Sequence, residues 1–77
     1  MSAKLAKAFR ANVRRRMKEL ELTQSELAEI LKVTPAFVSQ MLSGYRDPGL
    51  NSLDIFAKAL DVEAADLLSE KILSKSA

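Results

Sequence analysis

The stretch from Thr23 to Gly44 constrains the fold most, because it holds the start and stop signals of two short helices. Residues 23–26, TQSE, match a capping box, in which the threonine hydroxyl and the glutamate carboxylate satisfy amide donors of the first helical turn. Thr34 is a second N-cap and precedes Pro35, whose missing amide costs nothing at the first helical position. Gly44 suits the left-handed residue that follows a helix. We therefore predict two helices joined by a turn of about three residues.

Apolar residues at helical spacing predict three further helices around this pair. One face before the pair consists of Leu5, Phe9, Val13, Met17 and Leu20. A second face after it consists of Leu50, Leu53, Phe56, Ala57 and Leu60. The predicted helices run over about residues 3–20, 24–31, 35–43, 50–60 and 64–73, and residues 74–77 are expected to fray.

The composition limits the chain to one small all-α domain over residues 1–77. Cysteine and histidine are both absent, which removes most zinc sites and the commonest general bases. With the carboxylates scattered over solvated faces, we expect neither an enzyme nor a bound cofactor. No apolar run approaches the roughly 18 residues of a membrane helix, and no signal peptide is recognisable. A cytoplasmic protein without membrane attachment is expected.

The charges are unevenly distributed along the chain. Residues 1–18 hold seven basic and no acidic residues, whereas residues 19–77 hold five basic and ten acidic ones. Such a split indicates an anionic partner for one face, although a solvated helix face is the alternative. A basic amphipathic helix on a membrane surface is a weaker alternative, because so short a chain needs that apolar stripe for its core.

The helix predicted from Pro35 to Ser43 has an uncharged outer side. Val38, Met41 and Leu42 form its apolar side, which leaves Ala36, Phe37, Ser39, Gln40 and Ser43. A face without charge suits insertion into the major groove, where glutamine pairs with adenine and apolar groups contact thymine methyls. For two of these residues an alternative to a place in the groove remains open. Phe37 could fold back onto the core, and Gln40 could be an ordinary surface glutamine.

Several segments resemble the lambda-repressor-like (Cro/repressor, xenobiotic-response-element) helix-turn-helix family over about residues 9–68. The matching segments are TQSELA at 23–28, Leu31 and Val33 around the turn, VSQ at 38–40, SG at 43–44, and LDIFAKALDV at 53–62. The resemblance implies a compact five-helix domain with the helix-turn-helix at helices 2 and 3. It further implies that helix 3 enters the major groove of double-stranded DNA, usually as a homodimer on a palindromic operator.

Residue roles follow from this resemblance. Base-facing residues are expected at Pro35, Ala36, Ser39 and Gln40, with Phe37 beside them. DNA-backbone contacts are expected from Thr23, Gln24, Thr34, Ser43, Tyr45, Arg46, Asn51 and Arg14. Residues 63–77 form the expected dimerisation element, and the expected interface residues are Val62, Ala65, Leu68, Ile72 and Leu73.

The sequence departs from the family pattern at four places. Lys32 and Glu21 stand where the family often has glycine, and Lys32 must therefore tolerate a left-handed or similarly strained backbone. Met17 and Leu42 occupy positions where the family often has an Arg–Glu pair, and Pro35 and Ala36 lack hydrogen-bonding side chains.

These observations together predict a sequence-specific transcriptional repressor or regulator. One alternative is the antitoxin of a toxin–antitoxin pair, which would hold a small protein partner and also bind its own promoter. Another is a restriction–modification controller protein.

Overall fold

The computed structural model describes residues 1–70, and within them the chain forms five α-helices. Helix α1 spans Ala3–Leu20, α2 spans Gln24–Leu31, α3 spans Pro35–Ser43, α4 spans Leu50–Ala59, and α5 spans Ala64–Leu68. The predicted all-α fold is confirmed, and so are the bounds of the first three helices. None of these helices is long and apolar enough to cross a membrane.

The predicted caps open the two central helices. The Thr23 hydroxyl accepts the Glu26 amide at 3.1 Å, and the Glu26 carboxylate accepts the Thr23 amide at 2.8 Å, which completes the capping box. The Thr34 hydroxyl accepts the Phe37 amide at 3.1 Å, with Pro35 at the first helical position. Local chemistry therefore fixes where α2 and α3 begin.

Three helix ends adopt a left-handed backbone without glycine. Glu21 after α1, Lys32 after α2 and Asp61 after α4 have φ angles of 56°, 60° and 56°. A Cβ in this conformation costs roughly 1–2 kcal/mol, so the strain predicted at Lys32 is present, and Glu21 and Asp61 add two further cases.

The core lies between α1 and the other helices. Phe9 of α1 and Phe56 of α4 are fully buried, with an edge-to-face ring contact at 5.3 Å. Leu27, Val38 and Leu67 bring α2, α3 and α5 to the same cluster. Met17 and Leu42 also belong to this cluster.

The ends of two predicted apolar faces are exposed instead of buried. Leu5 and Leu20 of α1 are 41% and 40% exposed, and Leu50 of α4 is 83% exposed. Placing Leu50 on the inward face was wrong, because it is the first residue of α4 and lies beyond the reach of the core.

Helix α1 supplies hydrogen-bond donors to the carboxyl ends of three other helices. Arg10 Nε and Arg14 Nη2 donate to the carbonyls of Met41 and Leu42 in α3, at 2.9 and 3.0 Å. Arg16 Nε donates to the Leu60 carbonyl after α4 at 2.9 Å. These carbonyls have no partner inside their own helices, so the cations satisfy them and offset the negative end of each helix dipole.

Asn12 likewise donates to carbonyls at the carboxyl end of α5, which is shorter than predicted. Its Nδ2 donates to the carbonyls of Leu67 and Ser69 at 2.9 and 3.0 Å. Helix α5 ends at Leu68 and Ser69 is extended, so the predicted continuation was wrong at residues 69–70. Residues 71–77 lie outside the described residues, and the predictions for the helix end at Leu73 and the fraying tail fall there.

Candidate nucleic-acid interface

The outer face of α3 comprises Pro35, Ala36, Ser39, Gln40 and Ser43. Four of these residues are exposed, and Gln40 is half-buried. The opposite side of α3 is closed, because its apolar residues are fully or almost fully buried in the core. The helix therefore presents small and polar side chains outward from a fixed support, whereas Phe37, which was predicted on this side, packs partly against the core.

Gln40 is held by Arg46, which lies beyond the end of α3. Arg46 Nη2 and Nε lie 3.0 and 3.3 Å from Gln40 Oε1. The Arg46 backbone amide also donates to the Gln40 carbonyl at 3.1 Å, which fixes the loop against the helix. The predicted base-reading residue and the predicted backbone-contacting residue thus form one hydrogen-bonded unit.

Phe37 forms the floor beneath this pair. The ring is half-buried and packs against the core cluster, while the Arg46 guanidinium carbon lies 5.3 Å from the ring centroid. This separation falls within the range of a cation–π contact. The alternative that Phe37 folds back onto the core is therefore realised in part, since the ring packs against the core cluster while it also contacts Arg46.

The loop after α3 is tied to α1 through Arg10. Its guanidinium donates to the Met41 carbonyl, and its Nη2 lies 3.6 Å from an Asp47 carboxylate oxygen. Gly44 turns the chain with a φ of 92°, and a Cβ built there would lie 3.7 Å from Arg10. Pro48 is buried, so the loop that carries Arg46 is anchored on both sides.

The remaining predicted backbone-contacting residues lie at helix ends and in the loop. Thr23 and Thr34 are exposed, and each hydroxyl still has a proton to donate after accepting its capping amide. Gln24 is half-buried at the start of α2. Asn51 is exposed in the first turn of α4, and Tyr45 is 82% exposed.

Ser43 and Arg14 have roles within the protein as well. Ser43 Oγ donates to the Gln40 carbonyl at 3.3 Å and accepts the Tyr45 amide at 3.4 Å, which bridges the helix end and the loop. Arg14 uses one nitrogen on the Leu42 carbonyl, and the residue as a whole remains exposed. Its other guanidinium protons can serve a second acceptor.

Hydrogen bonding at the start of α2 favours the ionised form of Glu26. The hydrogen bond from the Thr23 amide, followed by the smaller effect of the Thr23 side chain, lowers the pKa of the Glu26 carboxyl, and this exposed group stays charged near neutral pH. A carboxylate there also interacts favourably with the positive end of the helix dipole.

Sequence reasoning missed the internal use of the α1 polar residues. Arg10, Arg14 and Arg16 donate to helix carbonyls, and Arg15 and Arg16 also pair with Glu19. The basic cluster was interpreted as a face for an external anion, but much of it serves the fold. The signal available was that the free carbonyls at the carboxyl end of every helix need donors, but this need does not identify the donor.

The predicted dimer residues divide into three groups. Ala65 is exposed on α5, whereas Val62 and Leu68 are half-buried against the core. Ile72 and Leu73 lie outside the described residues. The apolar residues near α5 are therefore in part needed by the protein's own core.

Comparison with known proteins supports the helix-turn-helix fold. The helix-turn-helix family model matches residues 13–67. A search of curated proteins gives no match for this sequence.

Two crystal structures of the clp gene regulator ClgR from Corynebacterium glutamicum have a similar fold. The first has a TM-score of 0.79 and 30% sequence identity, and the alignment covers 91% of this chain and 91% of that chain. The second has a TM-score of 0.78 and 29% identity, with 94% of this chain and 77% of that chain covered. The family match spans both central helices and the core helices that support them, and the chain therefore belongs to the lambda-repressor-like helix-turn-helix family of DNA-binding regulators.

Proposed function

We propose that this protein is a homodimeric transcriptional repressor that places α3 in the major groove of a palindromic operator. The observation that carries the proposal is the uncharged outer face of α3, exposed and fixed from behind by a closed core. An α-helix fits the major groove, and a face without acidic or bulky charged groups can approach base edges closely.

Donors around this face are suited to phosphates. The hydroxyls of Thr23 and Thr34, the amides at the start of α2 and the free protons of Arg14 surround the ends of the two central helices. Phosphate contacts of this kind position a protein on the duplex, while base contacts specify the sequence. We assign Gln40 and Ser39 to base contact and these donors to the backbone.

Dimerisation is proposed through the corner that leads into α5. Ala65 is exposed there, and the exposed parts of Val62 and Leu68 continue the same apolar region. A chain of 77 residues buries only about 60% of its unfolded surface, so pairing would add stability as well as a second reading helix.

Selection of sites from a random duplex DNA library tests the function directly. A palindromic site is expected, with half-sites spaced by one helical turn or a multiple of it. In the variant Gln40→Ala, preference at one position of each half-site should weaken by about 1–3 kcal/mol. An unchanged site in that variant would remove Gln40 from base recognition.

Salt dependence separates phosphate contacts from base contacts. Arg14→Ala should weaken binding to all sequences alike and reduce the slope of log affinity against log salt by about one. Circular dichroism must first show that the variant is folded, because Arg14 also donates to the Leu42 carbonyl. A full wild-type slope in the folded variant would exclude the contact.

The antitoxin and controller alternatives stay predictions. Co-purification of a small toxin with the protein would favour the first, whereas a homodimer that binds DNA without a partner favours the proposal. Sedimentation velocity of the protein alone, followed by titration with the selected duplex, distinguishes them.

A further inference from the structure

The Gln40–Arg46 pair fixes which way the Gln40 amide points. A guanidinium has only donors, so the atom that faces it must be the glutamine oxygen and not the nitrogen. Both Arg46 nitrogens converge on this one atom, at 3.0 and 3.3 Å. Two donors occupy the two lone pairs of a carbonyl oxygen. Gln40 therefore keeps only the two N–H donors of Nε2 for an external partner.

Arg46 is held in this position by contacts independent of the Gln40 side chain. Its amide donates to the Gln40 backbone carbonyl at 3.1 Å, and its guanidinium lies over the Phe37 ring. The loop is further tied to α1 through the Arg10–Asp47 pair. The interaction is therefore preorganised in the free protein.

This arrangement changes the base that Gln40 matches. Adenine presents N7 as an acceptor beside the N6 amino donor, so a bidentate pair needs both the glutamine oxygen and the nitrogen. Guanine presents two acceptors, N7 and O6, and a donor-only partner matches it. With its oxygen occupied, Gln40 would oppose the adenine amino group with its own amino group.

We propose that Arg46 is a specificity-positioning residue that makes Gln40 select guanine over adenine at the base pair it contacts. The inference rests on the proposed function and adds the base and the residue that determines it. Without Arg46, the Gln40 amide is free to rotate, and the bidentate pair with adenine becomes available.

The test compares binding-site selection for the wild-type protein, Gln40→Ala, Arg46→Met and Arg14→Met. Gln40→Ala locates the base pair that Gln40 contacts. At that position the wild type should prefer guanine, and Arg46→Met should prefer adenine by roughly tenfold, within the range that one bidentate pair provides. Arg46→Met retains an apolar stem over Phe37 and removes the guanidinium donors together with their positive charge.

Arg14→Met is the matched control. It also removes a guanidinium near the end of α3, but that group donates to the Leu42 carbonyl and not to Gln40. The control should bind all sequences more weakly without changing the preferred base. Circular dichroism establishes that each variant is folded before selection.

Adenine at this position in the wild type, or guanine retained in Arg46→Met, would overturn the inference while leaving DNA binding intact. Failure of every protein to select any site would instead overturn the proposed function. The two failures are therefore distinguishable in the same experiment.

Discussion

Replacement of Asn12 by alanine is expected to destabilise the fold more than any surface substitution. Asn12 is fully buried, and its Nδ2 donates to the carbonyls of Leu67 and Ser69. Each hydrogen bond contributes about 0.5–1.5 kcal/mol net, and a buried acceptor left unsatisfied costs about 1–3 kcal/mol. The Leu67 bond is buried and the Ser69 bond is partly buried, so the full cost applies mainly to Leu67.

One effect opposes this loss. Asn12 Oδ1 is buried and has no hydrogen-bond partner within residues 1–70, so alanine also removes an unsatisfied acceptor. We therefore expect a net loss of about 2 kcal/mol in the free energy of unfolding, toward the middle of the range for such contacts. For a domain of this size the melting temperature should fall by roughly 8–16 °C.

Thermal unfolding followed by circular dichroism measures the change. Asn51→Ala is the matched control, because Asn51 is exposed and its replacement should lie within about 0.5 kcal/mol of wild type. Asn12→Asp should be worse than alanine at neutral pH, since a carboxylate would face two carbonyl oxygens without a donor. An Asn12→Ala protein as stable as the Asn51→Ala control would refute this account of α5.

Two further predictions concern the helix-turn-helix itself. Lys32→Gly should raise the free energy of unfolding by about 0.5–1 kcal/mol, because relief of the strain of a left-handed Cβ exceeds the entropic cost of glycine. Urea denaturation measures the change. A loss of stability in the variant would contradict the presence of unrelieved strain at Lys32. The lowered pKa of Glu26 means that its capping contribution is present above the unfolded pKa and is lost as pH falls through the folded pKa. The stability difference between wild type and Glu26→Gln should therefore shrink on acidification from about pH 6 to about pH 3, an interval that contains the ordinary pKa of glutamate. A stability difference that does not depend on pH would contradict the ionised capping box.

The features that the sequence predicted best depend on neighbouring residues. Thr23 and Thr34 define helix starts through bonds to amides three residues away, so the pattern is visible in the sequence. Gly44 marks a helix end for a similarly local reason, its positive φ. The outer face of α3 followed from helical periodicity alone.

The features that were not predicted depend on distant residues. Asn12 bonds to carbonyls 55 and 57 residues away, and Arg16 to one 44 residues away. Nothing in the sequence distinguishes a carbonyl that needs such a donor from one that water satisfies. The Gln40–Arg46 pair is closer, six residues apart, but it depends on the path of the loop after Gly44.

The internal use of the α1 arginines also changes how the charge of this protein should relate to DNA affinity. A count of basic residues treats each as a phosphate contact that releases counterions, which would give a steep dependence on salt. Arg10 and Arg16 are partly buried, and both already donate to carbonyls. Each also has an acidic partner, Asp47 for Arg10 and Glu19 for Arg16. Their charge is largely used within the fold.

Fewer of the α1 arginines are then available for the electrostatic part of DNA binding than the sequence suggests. Besides the exposed lysines, uncommitted donors lie at the amino ends of α2 and α3 and on Arg14. Affinity of this kind depends on oriented amides and hydroxyls as much as on net charge. The proposed specificity from Gln40 and Arg46 would therefore represent a larger share of the total binding free energy than in a protein that neutralises many phosphates.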